Sequence, residues 1–228
     1  VPWVHEWKEG SLHIVTQESS TSPASEAYRH LRTSVRFLGL ERELKLVQVT
    51  SPRPGDGKTT TACNLAVAAA RAGQRVLLVD CDLRKPQVHS FFGIPNEVGF
   101  TSVLLGEVKL PRAAQRVPGE SNLLVVTSGP LPPDPSELLS AKVASSTLAE
   151  FSEQIDLMVI DSPPVLAVSD PLVLASAVDG VVLVASAAST DARQVAKAVD
   201  RLAQVEAPLL GTVLNRYDGR PSVDYAYG

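Results

Sequence analysis

At 228 residues with 44% hydrophobic content, the chain suffices for one large α/β domain with a sizeable core, and nothing in it requires a second domain. A formal net charge of −4 gives no global argument for nucleic acid as a partner, and no apolar run approaches the roughly 20 residues that span a bilayer. The two cysteines, Cys63 and Cys81, are too few and too embedded for a disulfide framework and read as small packing residues of a protein in a reducing cytosol.

No signal-peptide pattern opens the chain. It starts at Val1 and its only methionine is Met158, which predicts an excised portion of a longer protein. Residues 1–21 show no sustained period and read as a linker or covering arm. A helix is then predicted from Ser22 as N-cap with Pro23 in its first turn, because Tyr28, Leu31 and Val35 form an apolar stripe at helical spacing. Strand-like runs follow at 44–49, 75–80, 122–127, 156–161, 180–186 and 208–214, mostly with helical patterns between them. Val195, Ala198, Val199 and Leu202 mark one such helix. Runs such as Val76-Leu77-Leu78-Val79 are apolar throughout, as burial on both faces demands. The fold expected is therefore a single α/β domain: a mostly parallel sheet with helices on both faces. Residues 22–214 form that domain, and 215–228 form a flexible tail bearing Tyr217, Tyr225 and Tyr227.

The stretch Thr50-Ser51-Pro52-Arg53-Pro54-Gly55-Asp56-Gly57-Lys58-Thr59-Thr60 lies between the first strand and a helical run. That is the setting of a phosphate-binding loop. In the loop Pro54-Gly55-Asp56-Gly57 the successive backbone N–H groups around Gly55 and Gly57, with the helix N-terminus at Lys58, Thr59 and Thr60, form an anion cradle. Lys58 can reach the β- and γ-phosphates of ATP or the β-phosphate of ADP, and the Thr59 hydroxyl can bind Mg²⁺. The first glycine of G-x-x-x-x-G-K-[ST] would fall at position 52, which is Pro52, so this is a variant of the loop. In a parallel sheet the carboxyl ends of the strands share one edge. Asp80 and Asp82 beyond the second strand and Asp161 beyond a later one therefore converge on the loop, where a magnesium triphosphate needs carboxylates directly or through water.

Together the variant loop, Asp80-x-Asp82-x-Arg84 and Asp161-Ser162-Pro163-Pro164 resemble the three Walker motifs of the bacterial tyrosine kinases, which regulate capsular and exopolysaccharide synthesis. The resemblance covers nearly the whole chain. Glu26-Ala27-Tyr28-Arg29-His30-Leu31-Arg32 fits the E-x-x-R-x-x-R self-association motif, and the stretch from Ser128 to Leu139 resembles the family's Pro-rich connection. The resemblance implies a P-loop NTPase-like fold and an ATP-dependent autokinase that phosphorylates the C-terminal tyrosines of neighbouring copies. It implies Asp80 as general base, with Asp82 as the open alternative, and Thr59, Asp82 and Asp161 around the magnesium. Asn215 after the last strand is placed at the nucleotide base, and Glu26, Arg29 and Arg32 in a ring-like homo-oligomer. A membrane activator or co-polymerase domain, fused or separate, would hold the kinase at the inner face of the cell membrane. From reach along the tail, Tyr225 and Tyr227 are the expected main acceptors and Tyr217 a minor one, and Tyr28 is expected to be buried.

The competing reading is a nucleotide-switched ATPase of the partitioning or cell-division type without kinase activity. Arg53, where such ATPases carry a lysine acting across a dimer, and the tyrosine tail argue against it.

Overall fold

The continuous apolar runs fold as the central strands of one sheet. A computed structural model describes residues 1–3, 14, 22–40, 43–139, 146–149 and 154–218; Tyr225 and Tyr227 lie outside the described residues. β1 (Leu46–Thr50), β2 (Val76–Asp80), β5 (Leu157–Asp161) and β6 (Gly180–Ser186) are buried at every position, because helices cover both faces. With β3 (Gln115–Val117), β4 (Glu120–Val126) and β7 (Leu209–Asn215) they form a sheet of order β3-β4-β2-β5-β1-β6-β7 among the described residues. All neighbours run parallel except β3 and β4. β3 was not expected from the sequence. Its three residues, Gln115-Arg116-Val117, carry no apolar run and take strand form only by turning back antiparallel onto β4.

α1 (Pro23–Leu38) starts as the sequence predicts, with the Ser25 N–H donating to Ser22 Oγ at 3.1 Å. Its Ala24 and Tyr28 pack on Ala68 of α2 (Lys58–Arg71), leaving Tyr28 1% exposed as expected. Ala62, Ala66, Ala69 and Ala70 let α2 lie close on the sheet, with Val47, Val49, Val182 and Val184 beneath. The opposite face carries a second core around Leu77, Val79, Met158, Ile160, Leu183 and Leu202. The short helices α3 (Val88–Phe92), α4 (Phe100–Leu104), α5 (Leu110–Ala113) and α6 (Pro135–Leu138) lie between β2 and β5 in the chain. α7 (Asp170–Ala175) precedes β6. α8 (Ala192–Gln204) opens on a capping box of Asp191 and Gln194 and buries Ala198 and Leu202, on the stripe the sequence marks.

β7 runs through Asn215, and the chain beyond it is held for two more residues. Tyr217 N–H donates to Val1 O (3.1 Å), Trp3 N–H donates to Tyr217 O (3.0 Å), and the Arg216 guanidinium lies 5.4 Å from the centre of the Trp3 ring. No helix among the described residues is long and apolar enough to cross a membrane.

Candidate active site

β1 ends at Thr50 and α2 begins at Lys58, so the seven residues between them turn at the carboxyl edge of the sheet. Gly55 (φ 88°) and Gly57 (φ 96°) are in the left-handed region, where a side chain would be strained. At Gly57 a Cβ would also collide with the Asn215 amide, whereas nothing lies within 4 Å of a Cβ built on Gly55. The loop therefore exposes backbone at Gly55 and pins it at Gly57. Pro52, standing where the usual loop has its first glycine, is buried. Its neighbour Ser51 accepts the Val165 N–H at 2.8 Å, which ties the start of the loop to the segment after β5.

The side chains expected at the reacting edge come together. Lys58 Nζ lies 2.8 Å from Asp82 Oδ2 and 3.5 Å from Asp161 Oδ1. The Thr59 hydroxyl donates to Asp161 Oδ2 at 2.7 Å. Asp80 and Asp161 stand opposite each other in the β2–β5 register. Asp80 accepts from the backbone N–H of Asp82 and of Val88, each at 3.1 Å, and Asp82 Oδ1 accepts from those of Arg84 (3.3 Å) and Lys85 (3.0 Å). Asp80 and Asp161 are fully buried and Asp82 is 3% exposed.

Burial dominates the electrostatics. It pushes Asp80 well above the usual carboxylate range, with the Asp161 charge adding to it. Asp161 is pushed up to about 6 by burial, against the pull of Lys58 and the Thr59 hydroxyl. For Lys58 burial favours the neutral amine, but Asp161 and Asp82 outweigh it and hold its pKa above the ordinary lysine value. Cys63 and Cys81 are buried with raised thiol pKa, chiefly from burial, and are packing residues as expected.

These residues fit a magnesium nucleotide. Asp161 Oδ1 is buried without a hydrogen-bond partner, beside the Thr59 hydroxyl and Asp82. Among the described residues no three His, Cys, Asp or Glu side chains are grouped so as to hold a metal by themselves. Mg²⁺ usually takes one or two carboxylates and completes its shell with water and phosphate oxygens.

Asn215, expected at the nucleotide base, is 7% exposed and its amide donates to the carbonyl of Asp56 at 3.0 Å. Asp56 is buried, its carboxylate turned to the Arg53 N–H (3.0 Å) and the Thr190 hydroxyl (2.5 Å). Pro54 and Gly55 are exposed and Thr60 is half-buried in the first turn of α2. On α1, Arg29 Nε donates to Glu26 Oε2 at 2.7 Å, and Arg32 borders a cleft with Val35, Arg36 and Leu40. Sequence reasoning missed the contacts of Thr190 and an ion pair of Arg84 with buried Asp170 (2.7 Å), joined by the Ser136 hydroxyl. Arg84 was visible inside its motif. Thr190 belongs to no motif, and its partner is 134 residues away.

Comparison with known proteins agrees with this geometry. Residues 47–226 match the family described as "CobQ/CobB/MinD/ParA nucleotide binding domain". The chain is 43% identical over 215 residues to "Tyrosine-protein kinase YwqD" of Bacillus subtilis (strain 168), covering 94% of this chain and 90% of that one. The solved structure "The kinase domain of Escherichia coli tyrosine kinase ETK" superposes with a TM-score of 0.87 at 34% identity, covering 97% of this chain and 87% of that one. The septum site-determining protein MinD of Pyrococcus horikoshii, solved with Mg-ADP, shares the fold at a TM-score of 0.66 and 24% identity, covering 78% of this chain and 72% of that one. With its phosphate loop, its lysine and its buried aspartates on one sheet edge, the chain belongs to the bacterial protein-tyrosine kinases.

Proposed function

We propose that the chain is an ATP-dependent autokinase that phosphorylates the C-terminal tyrosines of neighbouring copies, and that this regulates extracellular polysaccharide synthesis. The observation that carries the reading is the convergence of the glycine loop, Lys58, Thr59 and three buried aspartates at one edge, in a chain of the tyrosine kinase family.

Magnesium ATP, when bound, supplies the γ-phosphoryl group and screens its charge. Residues Gly55 to Thr60 would hold the phosphates through backbone N–H groups, with Pro54 shaping the entry to the loop, and Asn215 fixes this loop from the end of β7. Thr59 and Asp161 would hold the ion, with Asp82 beside them. Lys58 offsets the charge that develops on the leaving phosphate. A tyrosine hydroxyl has a pKa near 10, so at pH 7 only about one in a thousand is ionised, an uphill step of roughly 4 kcal/mol. A carboxylate base lowers that step. Asp80 takes the phenol proton as the tyrosine oxygen bonds to phosphorus and the bond to the β-phosphate oxygen breaks, releasing ADP. The pair of Asp82 with Lys58 favours Asp80 over Asp82 as the base.

The kinase domain spans 22–214, between an arm (1–21) and a tail (215–228), and works in a homo-oligomer joined through Glu26, Arg29 and Arg32. A membrane co-polymerase partner, fused or separate, places it at the inner face of the cell membrane. Both layouts have support: the chain matches 90% of the length of YwqD but 30% of the length of "Tyrosine-protein kinase etk" of Escherichia coli (strain K12), to which it is 36% identical over 217 residues and 95% of its own length. The partitioning-type reading is weakened by Arg53, whose guanidinium donates within its own chain to Ser189 O at 3.0 Å.

The test is Lys58→Met, followed by phosphotyrosine mapping with mass spectrometry. The variant should lose phosphorylation by at least about a hundredfold. A folded variant that phosphorylates itself at the wild-type rate would overturn the site assignment.

A further inference from the structure

The turn between β6 and α8 grips the phosphate loop through contacts that the reaction above does not use. Thr190 Oγ1 donates to Asp56 Oδ1 at 2.5 Å, and Asp56 Oδ2 accepts the Arg53 N–H at 3.0 Å. Arg53 Nη1 returns to Ser189 O at 3.0 Å. The turn is itself fixed: the Thr190 N–H donates to Ser186 O at 2.9 Å, the Ala187 N–H donates to Asn215 O at 2.8 Å, and Asp191 caps α8. With the Asn215 amide on its carbonyl, Asp56 is held at both carboxylate oxygens and at its backbone, and it is 1% exposed.

A carboxylate in the middle of a phosphate cradle is a liability. Free to rotate, it would face the phosphates and repel them, and the left-handed glycines on either side would allow the loop many shapes. The Thr190 hydroxyl removes both problems with one charge-assisted hydrogen bond, keeping the carboxylate turned away and the turn from Arg53 to Gly57 in a single conformation. We infer that Thr190 is a positioning residue for nucleotide binding, acting through Asp56 to preorganise the cradle without touching the nucleotide. This rests on the reading that the loop binds a nucleotide. A site preorganised in this way binds more tightly because less ordering is left for the ligand to induce.

The test compares Thr190→Val, which keeps the shape and removes the hydroxyl, with Thr190→Ser, which keeps the hydroxyl. Thr190→Ala serves if the valine variant fails to fold. Calorimetric titration with magnesium ADP should show binding weakened on the order of tenfold in Thr190→Val and restored in Thr190→Ser. In autophosphorylation assays KM for ATP should rise in parallel, with kcat at saturating ATP retained. Unchanged ADP affinity in the valine variant, equal impairment of the valine and serine variants, or a fall in kcat with KM unaltered would each overturn the inference. Failure of the wild-type chain to bind magnesium ADP would overturn the nucleotide reading itself, and this inference with it.

Discussion

Asp161 carries the sharpest electrostatic conflict at the residue scale. It is fully buried and faces Asp80 across the sheet, and only Lys58 and the Thr59 hydroxyl favour its charged form. Its folded pKa, pushed up to about 6, lies above the ordinary value of 3.8. Between those values the folded chain binds the proton more tightly than the unfolded chain does, so stability falls as pH rises through this window. Asp161→Asn should remove that slope and stabilise the nucleotide-free protein above pH 6 by up to about 3 kcal/mol. Urea unfolding of both proteins at pH 5 and pH 7.5, without nucleotide or magnesium, checks it; an identical pH dependence would refute the assignment. Lys58, Thr59, Asp80 and Asp161 were legible in the sequence because the two aspartates end strands and Lys58 and Thr59 open the helix after β1, positions that topology sends to one edge. The ties of Thr190 and Asn215 to Asp56 were not, because they join segments far apart in the chain, 134 and 159 residues, by single hydrogen bonds that leave no local pattern.

Elements buried on both faces were the easiest to read, because continuous runs such as Leu157-Met158-Val159-Ile160 allow few other structures. β3 was illegible for the opposite reason: a three-residue edge strand exists only through its partner β4. α1 divides its surface between two tasks. Ala24, Tyr28 and Val35 are buried, while Glu26 and Arg29 pair on the outer side. A solvated pair of this kind contributes only a few tenths of a kcal/mol to a helix, so its removal should cost little stability. Replacing Glu26, Arg29 and Arg32 together by alanine should therefore reduce assembly size without unfolding the chain. Sedimentation velocity at concentrations where the wild type self-associates decides this. An unchanged profile would leave the three residues as ordinary surface charges.

At the scale of the whole molecule, the sheet places the loop, the aspartates and the end of β7 on one edge, so the tail leaves beside the reacting groups. Tyr217 is held there by two backbone hydrogen bonds to Val1 and Trp3, and Tyr28 is buried under α1. Tyr225 and Tyr227 lie eight and ten residues beyond Tyr217, a reach of about 26 to 36 Å when extended. They should be the main acceptors in neighbouring copies, each phosphate adding about −1.5 to −2 charges and repelling the aspartate-rich site. Replacing both by phenylalanine should remove most phosphate from the protein, as site-resolved mass spectrometry would show. Undiminished phosphorylation concentrated on Tyr217 or Tyr28 would refute this order. The pairing of residues 1–3 with residues 214–217 also sets the length of the leash. Peeling Val1 to Trp3 away would free Arg216 and Tyr217 beyond the end of β7, adding two residues, or about 7 Å of slack, and turning Tyr217 from a fixed post into a third swinging end. The arm and the tail thus share one fastening, and a pull on either is felt by the other.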